Sequence, residues 1–258
     1  MFKQALLVAG VLSLATAASA LELTNPFYVP SKGTFSSTTT YEFATRTAKD
    51  DFDRSKEYDN TIAEKLSYGL TDNVSLDAKV SNVFQKESAY GLTDRDDKNI
   101  DFELGSTWNV LTGPAKVQVS GAYGQAESNS HDNLGAYKYV TGAVKAGYTM
   151  GIYTPYLAGS VELPVAQNDD GDNHAKYEAK AGVYAYCPRI KTAVDTGLRL
   201  NYDETYEARV YAYDLEVSYF LTDKVAVSAF GSVDFAGKAE ADTDLYGNKL
   251  GLRLRAAF

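Results

Sequence analysis

The chain of 258 residues contains one cysteine, one tryptophan, two methionines and two histidines. A single cysteine, Cys187, rules out an internal disulfide, so an exported chain of this kind must be held together by an extended ladder of secondary structure. Cys187, in "YCPRI", reads as a small residue packed beside a turn, with only Arg189 near enough in sequence to activate a thiolate. The two histidines, His131 and His174, both fall in polar stretches and supply no strand-borne nucleophile and base of the serine-hydrolase kind. The 25 Lys and Arg are outnumbered by 34 Asp and Glu, a net charge of -9. An acidic chain without a basic stretch argues against nucleic acid as a partner, and no cofactor is expected. Beyond the first twenty residues, no run approaches the 18 or so consecutive apolar residues of a membrane helix.

Those first twenty residues, "MFKQALLVAGVLSLATAASA", place Lys3 before an apolar core from Ala5 to Ala15, with small residues at Ala18 and Ala20. They read as a secretory signal peptide, residues 1–20, with Leu21 as the mature N-terminus. Residues 21–31 are expected to form a periplasmic segment, and residues 32–258 the remaining domain.

What the chain has in quantity is tyrosine, 20 in all, and alternation. "VSLDAKVSNVF" sets Val74, Leu76, Ala78 and Val80 on one side and Ser75, Asp77, Lys79 and Ser81 on the other, and the division recurs through the closing "KLGLRLRAAF". Period-two patterning of this kind marks strands with two different faces, here about 12 of them. Their connections alternate as well. One set is tight: 69–73, 109–115, 149–152, 187–189 and 220–224. The other is longer and acidic: 48–57, 85–99, 125–135, 166–174, 203–207 and 237–246. Short turns at one end and long loops at the other are the asymmetry of a transmembrane antiparallel up-and-down β-barrel.

A soluble sandwich would show the same alternation, so aromatic placement has to separate the two. Membrane barrels carry girdles of aromatic residues at the strand ends on the apolar face. "YGLTDNV" and "YFLTDKV" put Tyr68 and Tyr219 before equivalent turns. Trp108, Tyr148, Tyr153 and Phe258 share their parity and depth. Tyr58, Phe84, Tyr123, Tyr202, Tyr211 and Phe235 make a second girdle at the opposite strand ends.

The signal peptide, the "LTD" turns, "LTNPFYVPSKG" and the final Leu252, Leu254, Ala256 and Phe258 together resemble a Gram-negative outer-membrane β-barrel protein of the small porin-like type. The resemblance covers the mature chain and is one of architecture. It implies short periplasmic turns, external loops and contact with outer-membrane lipid and lipopolysaccharide. It also implies that the last strand, ending on an aromatic residue, is read by the barrel-assembly machinery. Autotransporter translocators share the strand number and terminal Phe; the lack of a passenger before the first strand argues against that reading.

Function is then sought on the inward face. Parity turns Lys65, Asp77, Lys79, Asp101, Glu103, Lys116, Lys145, Glu162, Lys176, Glu178, Lys180 and Asp234 inward, together with the candidate pore residues Lys191, Asp195, Arg199, Asp214, Glu216, Lys249, Arg253 and Arg255. If Tyr68 opposes Val74, then Lys65 opposes Asp77 as a cross-strand ion pair. Most of the interior charge is expected to pair in this way. Arg253 and Arg255 are the exception: Thr34, Ser36, Thr38, Ala226 and Ser228 flank them, with no adjacent carboxylate. An unpaired guanidinium patch would favour anionic solutes; the alternative is that the arginines reach a more distant acid across the lumen. Two details fit poorly. Glu64 falls on the lipid-facing parity unless a bulge turns it inward, and Pro155 interrupts a ladder close to its turn.

Outside the wall, "NDDGDN" offers oxygens of the type calcium prefers but lacks the glutamate of an EF-hand loop, and reads as a solvated loop. Acidic loops beside lipopolysaccharide would need bridging divalent cations. Three readings stay open: a channel for passive diffusion of small hydrophilic solutes, a structural or adhesive barrel with an ion-pair-plugged lumen, and a barrel enzyme. The first is the leading one and the last the weakest.

Overall fold

The computed structural model of the protein describes residues 23–49, 54–89, 95–128, 137–165, 175–205, 207–239 and 243–258. Twelve strands follow in chain order: β1 (Phe35–Lys49), β2 (Arg54–Thr71), β3 (Val74–Ala89), β4 (Arg95–Leu111), β5 (Ala115–Ser128), β6 (Tyr137–Tyr148), β7 (Tyr153–Pro164), β8 (Lys176–Cys187), β9 (Thr192–Asp203), β10 (Ala208–Thr222), β11 (Val225–Lys238) and β12 (Asp244–Ala257). Each pairs antiparallel with the next, and β12 pairs with β1 from Ser36↔Ala257 to Lys49↔Asp244, so the sheet closes on itself. Closure leaves no strand edge unpaired, which is how a chain without disulfides satisfies its backbone in hydrocarbon.

The tight turns lie where the sequence puts them. In the two "LTD" turns the same residue does the same job: the Thr71 hydroxyl accepts the Asn73 amide at 3.2 Å, and the Thr222 hydroxyl accepts the Lys224 amide at 3.1 Å. At the other end the strands run further than spacing indicates. β2 begins at Arg54, β3 ends at Ala89 and β4 begins at Arg95, so much of 48–57 and 85–99, read as loop, is strand. "NDDGDN", His131 and His174 lie outside the described residues, as does the signal peptide.

Register settles the doubtful positions. The β2–β3 ladder shifts between Gly69 and Thr71, so Tyr68 faces Leu76 and Lys65 faces Lys79. The expected Lys65–Asp77 opposition is therefore off by two residues, although the two groups still meet diagonally at 3.5 Å. No bulge occurs near Glu64: Thr39↔Glu64 and Glu64↔Val80 continue both ladders, so its side chain shares the outward face with Ile62 and Leu66. Pro155 is tolerated because the β6–β7 ladder already ends at Gly147↔Tyr156.

The outward face is an apolar belt between two aromatic levels. Trp108, Tyr148, Tyr153 and Tyr219 project from the short-turn end about half exposed, and Tyr68 packs on Phe35 with ring centroids 4.7 Å apart. Phe258 departs from the expected girdle. It is buried, and its backbone exchanges hydrogen bonds with Phe35 at 2.8 and 3.2 Å. The Phe35 and Tyr68 rings, tilted 39° to one another, already occupy the outward position there. At the far level Phe84, Tyr123, Tyr211 and Phe235 are exposed, with Tyr177 stacked on Tyr202 at 6.2 Å.

Candidate functional site: the charged lumen

The stretch 21–31, expected in the periplasm, is described from Leu23 onward, and residues 23–30 lie within the short-turn mouth of the barrel. Asn25, Pro26, Phe27 and Tyr28 form a turn: the Phe27 amide donates to Asn25 Oδ1 at 2.9 Å and the Tyr28 amide to the Asn25 carbonyl at 3.0 Å. Asn at the first position and Pro at the second are what such a turn prefers. The wall holds the turn by its backbone. Lys145 Nζ donates to the Pro26 carbonyl at 2.6 Å and Asn109 Nδ2 to the Phe27 carbonyl at 3.0 Å, while the Thr24 and Tyr184 hydroxyls share a hydrogen bond of 3.0 Å. Leu23 and Phe27 pack with Tyr156, Tyr184, Ala193, Phe220, Ala226 and Ala257 into a buried apolar cluster. Gly69 marks the closest approach: a Cβ there would come within 2.1 Å of the Ser31 carbonyl oxygen.

Above this floor a cavity of about 460 Å³ is lined by Leu23, Thr24, Asn25 and Pro26 below and by Glu42, Lys145, Tyr156, Glu178, Lys180, Asp195, Arg199, Asp214, Glu216, Phe230, Ser232, Lys249, Arg253 and Arg255 around it. Six of these are basic and five acidic, so the lining is close to electroneutral. Two networks account for most of the charge. In one, Arg199 donates to Asp214 at 3.1 Å, and Lys180 stands 3.7 Å from both Asp214 and Asp195. Tyr156 completes it by donating to Asp195 at 2.7 Å. In the other, Glu216 accepts from Arg255 at 2.6 Å and from Arg253. Arg255 also donates to Ser228 at 2.6 Å, and the Arg253 guanidinium lies 4.0 Å from the Phe230 ring centroid.

Arg253 and Arg255 therefore have no carboxylate opposite them on the adjacent strands but do reach a more distant one, Glu216, so they are not an unpaired patch. Glu216 is on β10, opposite Phe230 of β11, and β11 runs between it and β12; the arginines stand opposite the small Ala226 and Ser228 of β11 and reach across, Arg253 passing over the Phe230 ring. Two guanidiniums share one carboxylate, which leaves one positive charge in excess. Lysine 249, the third basic candidate on β12, pairs with Glu42 at 3.3 Å. Asp195, Arg199 and Asp214 meet in the first network. Lys191 joins neither: it sits in the turn after the short 3-10 segment Pro188–Ile190, at φ 50°, one residue before β9 begins. That segment displaces it from the strand periodicity on which its nomination rested.

Sequence parity turned Lys145, Lys180 and Glu178 inward without singling them out, and the floor carried no periodic signal at all. The opposite wall is braced more locally. Lys79 pairs with Glu103 at 2.6 Å and Tyr139 donates to Asp101 at 2.8 Å, while Thr107 donates to Asp77 at 2.7 Å beside a cavity of only about 90 Å³. Cys187 is the half-buried last residue of β8.

No protein-family model and no curated protein sequence matches the chain. Solved structures do. The COG4313 outer membrane channel from Pseudomonas putida F1 superposes with a TM-score of 0.71 at 15% identity, over 91% of this chain and 98% of that one. The translocator domain of the autotransporter NalP from Neisseria meningitidis gives 0.58 at 10%, over 97% and 95%. The Ralstonia pickettii toluene transporter TbuX gives 0.52 at 11%, over 96% of each. At these identities the likeness is one of fold.

Proposed function

We propose that this protein, a β-barrel of the Gram-negative outer membrane, is a channel for passive diffusion of small hydrophilic solutes. The observation that carries the reading is the cavity of about 460 Å³ in the lumen, lined by charged side chains rather than packed with apolar ones. Twelve strands give a lumen between the filled interior of an eight-stranded barrel and the wide pore of a porin, so side chains set its bore. Paired charges of both signs offer a hydrated path without a strong field. The surplus positive charge at Arg253 and Arg255 gives a mild preference for anions. That one structural neighbour is an outer-membrane channel supports the same reading.

A second reading is favoured by one observation: residues 23–30 occupy the short-turn mouth, which is the periplasmic end in barrels of this kind. A barrel closed at that mouth would act through its external loops, as a structural or adhesive protein. Conductance of the purified protein in planar bilayers separates the two. The channel reading expects discrete openings with weak anion selectivity, reduced or reversed in Arg253→Gln/Arg255→Gln. An electrically silent barrel, with or without residues 23–30, would overturn it.

A further inference from the structure

We propose that the outward face of β1–β3 is a contact surface for a second copy of this chain within the membrane, centred on Glu64 and Asn60. Between the two aromatic levels, Glu64 is the single acidic or basic side chain on the outward face among the described residues. It lies between Ile62 and Leu66, which are 49% and 44% exposed, and therefore at hydrocarbon depth. An ionisable side chain on the lipid face of a strand is destabilising, and one that persists there calls for a partner. The polar side chains near it are concentrated on the same face: Ser37 and Thr39 on β1, Asn60 on β2 and Asn82 on β3. On the β11–β12 face the outward positions are Val227, Ala229, Leu252 and Leu254.

The hydrogen bonds within the face leave a particular remainder. Thr39 donates to Glu64 Oε2, and Tyr41 donates to Asn60 Oδ1 at 3.1 Å. Among the described hydrogen bonds, Glu64 Oε1 and the Asn60 amide nitrogen are left over. Acyl chains supply neither a donor nor an acceptor, and polar side chains at membrane depth act as contacts between proteins. A second copy fits better than an unrelated partner because the face is complementary to itself. A two-fold axis along the membrane normal brings equal depths together. Two Asn60 side chains, each with donor and acceptor in one amide, then pair with one another. Glu64 of each copy meets a face that carries the Ser37 hydroxyl as donor, the Thr39 proton being held by Glu64 of its own chain. This is an isologous contact, the commonest kind in homo-oligomers. Exposed Tyr41, Ile62 and Leu66 supply the apolar surround.

The test uses the full chain in outer membranes and then in mild detergent, with folding of each variant checked by the mobility of the unheated barrel on a gel. In a Cys187→Ser background, Asn60→Cys is expected to form a disulfide-linked homodimer under mild oxidation. Ala181→Cys, outward on β8 on the far side of the barrel, is expected to form none. Light scattering should give a mass of two chains for the unmodified protein. Glu64→Leu/Asn60→Leu should weaken self-association about tenfold or more, as expected if the change removes at least 1.4 kcal/mol of contact. Glu64→Gln should retain the dimer. Equal cross-linking at Asn60→Cys and Ala181→Cys, a cross-linked product with a different protein, a single-chain mass for the unmodified barrel, or an unchanged dimer in the Leu variant would each overturn the proposal.

Discussion

The two levels of the lumen are built on opposite principles. At the short-turn end the space is filled by the chain's own apolar segment, Leu23 and Phe27 against Tyr156, Tyr184 and Phe220. Halfway up, the space is left open and the wall is lined with charge. Burial of apolar surface holds the first level, with hydrogen bonds from Lys145 and Asn109 to its backbone carbonyls. The second is held by directed contacts, in which Glu216 and Asp214 each serve more than one cation. Blocking and lining are separate tasks here: a segment tied to the wall through its backbone carbonyls can be removed without breaking an ion pair.

The largest effect should come from taking that contrast apart. A chain lacking residues 23–30 is expected to fold and to conduct several-fold more current than the intact protein in planar bilayers; unchanged conductance would mean that the segment does not limit flow. Next in size is the charged level itself. Glu216→Gln leaves Arg253 and Arg255 without their shared carboxylate in a half-buried site, which should cost about 3 kcal/mol in urea unfolding from lipid vesicles. The same change should also raise anion selectivity. The smallest effect belongs to the outer rim, where Arg46 pairs with Glu57 at 3.1 Å but is 61% exposed. Arg46→Ala should change unfolding free energy by less than about 0.5 kcal/mol, and a larger loss would show that rim pairs brace the wall as lumen pairs do.

Much of the wall was legible in the sequence because a strand announces its two faces locally. Val74, Leu76 and Val80 against Ser75, Asp77 and Lys79 need no knowledge of the rest of the chain, and the "LTD" turns carry their own hydrogen bond. The pairing of Glu216 with Arg253 and Arg255 was not legible. Alternation identifies neighbours on adjacent strands, whereas this contact spans an intervening strand, past Ala226 and Ser228 and along the Phe230 ring. Lys191 was misplaced because it caps a short 3-10 segment in the turn before β9, whose Asp195 and Arg199 keep the expected inward parity. The position of residues 23–30 inside the mouth had no signal, since "TNPFYVP" is turn-forming and aperiodic, and only the shape of the closed barrel provides a place for it.

The strands are unequal in length. β2 has 18 residues and β4 has 17, whereas β6, β7, β8 and β9 have 12 each. With the short turns level, the difference between 18 and 12 residues lifts one side of the wall by roughly 15 Å over the other, allowing for the rise per residue and the usual strand tilt. Among the described residues, the wall of the barrel therefore has the outline of a jug cut on a slant. A molecule moving along the cell surface would meet a parapet at β2–β4 and a low sill at β6–β9. The wall on the sill side is lower among the described residues, with Tyr139, Glu162 and Lys176 above the charged level.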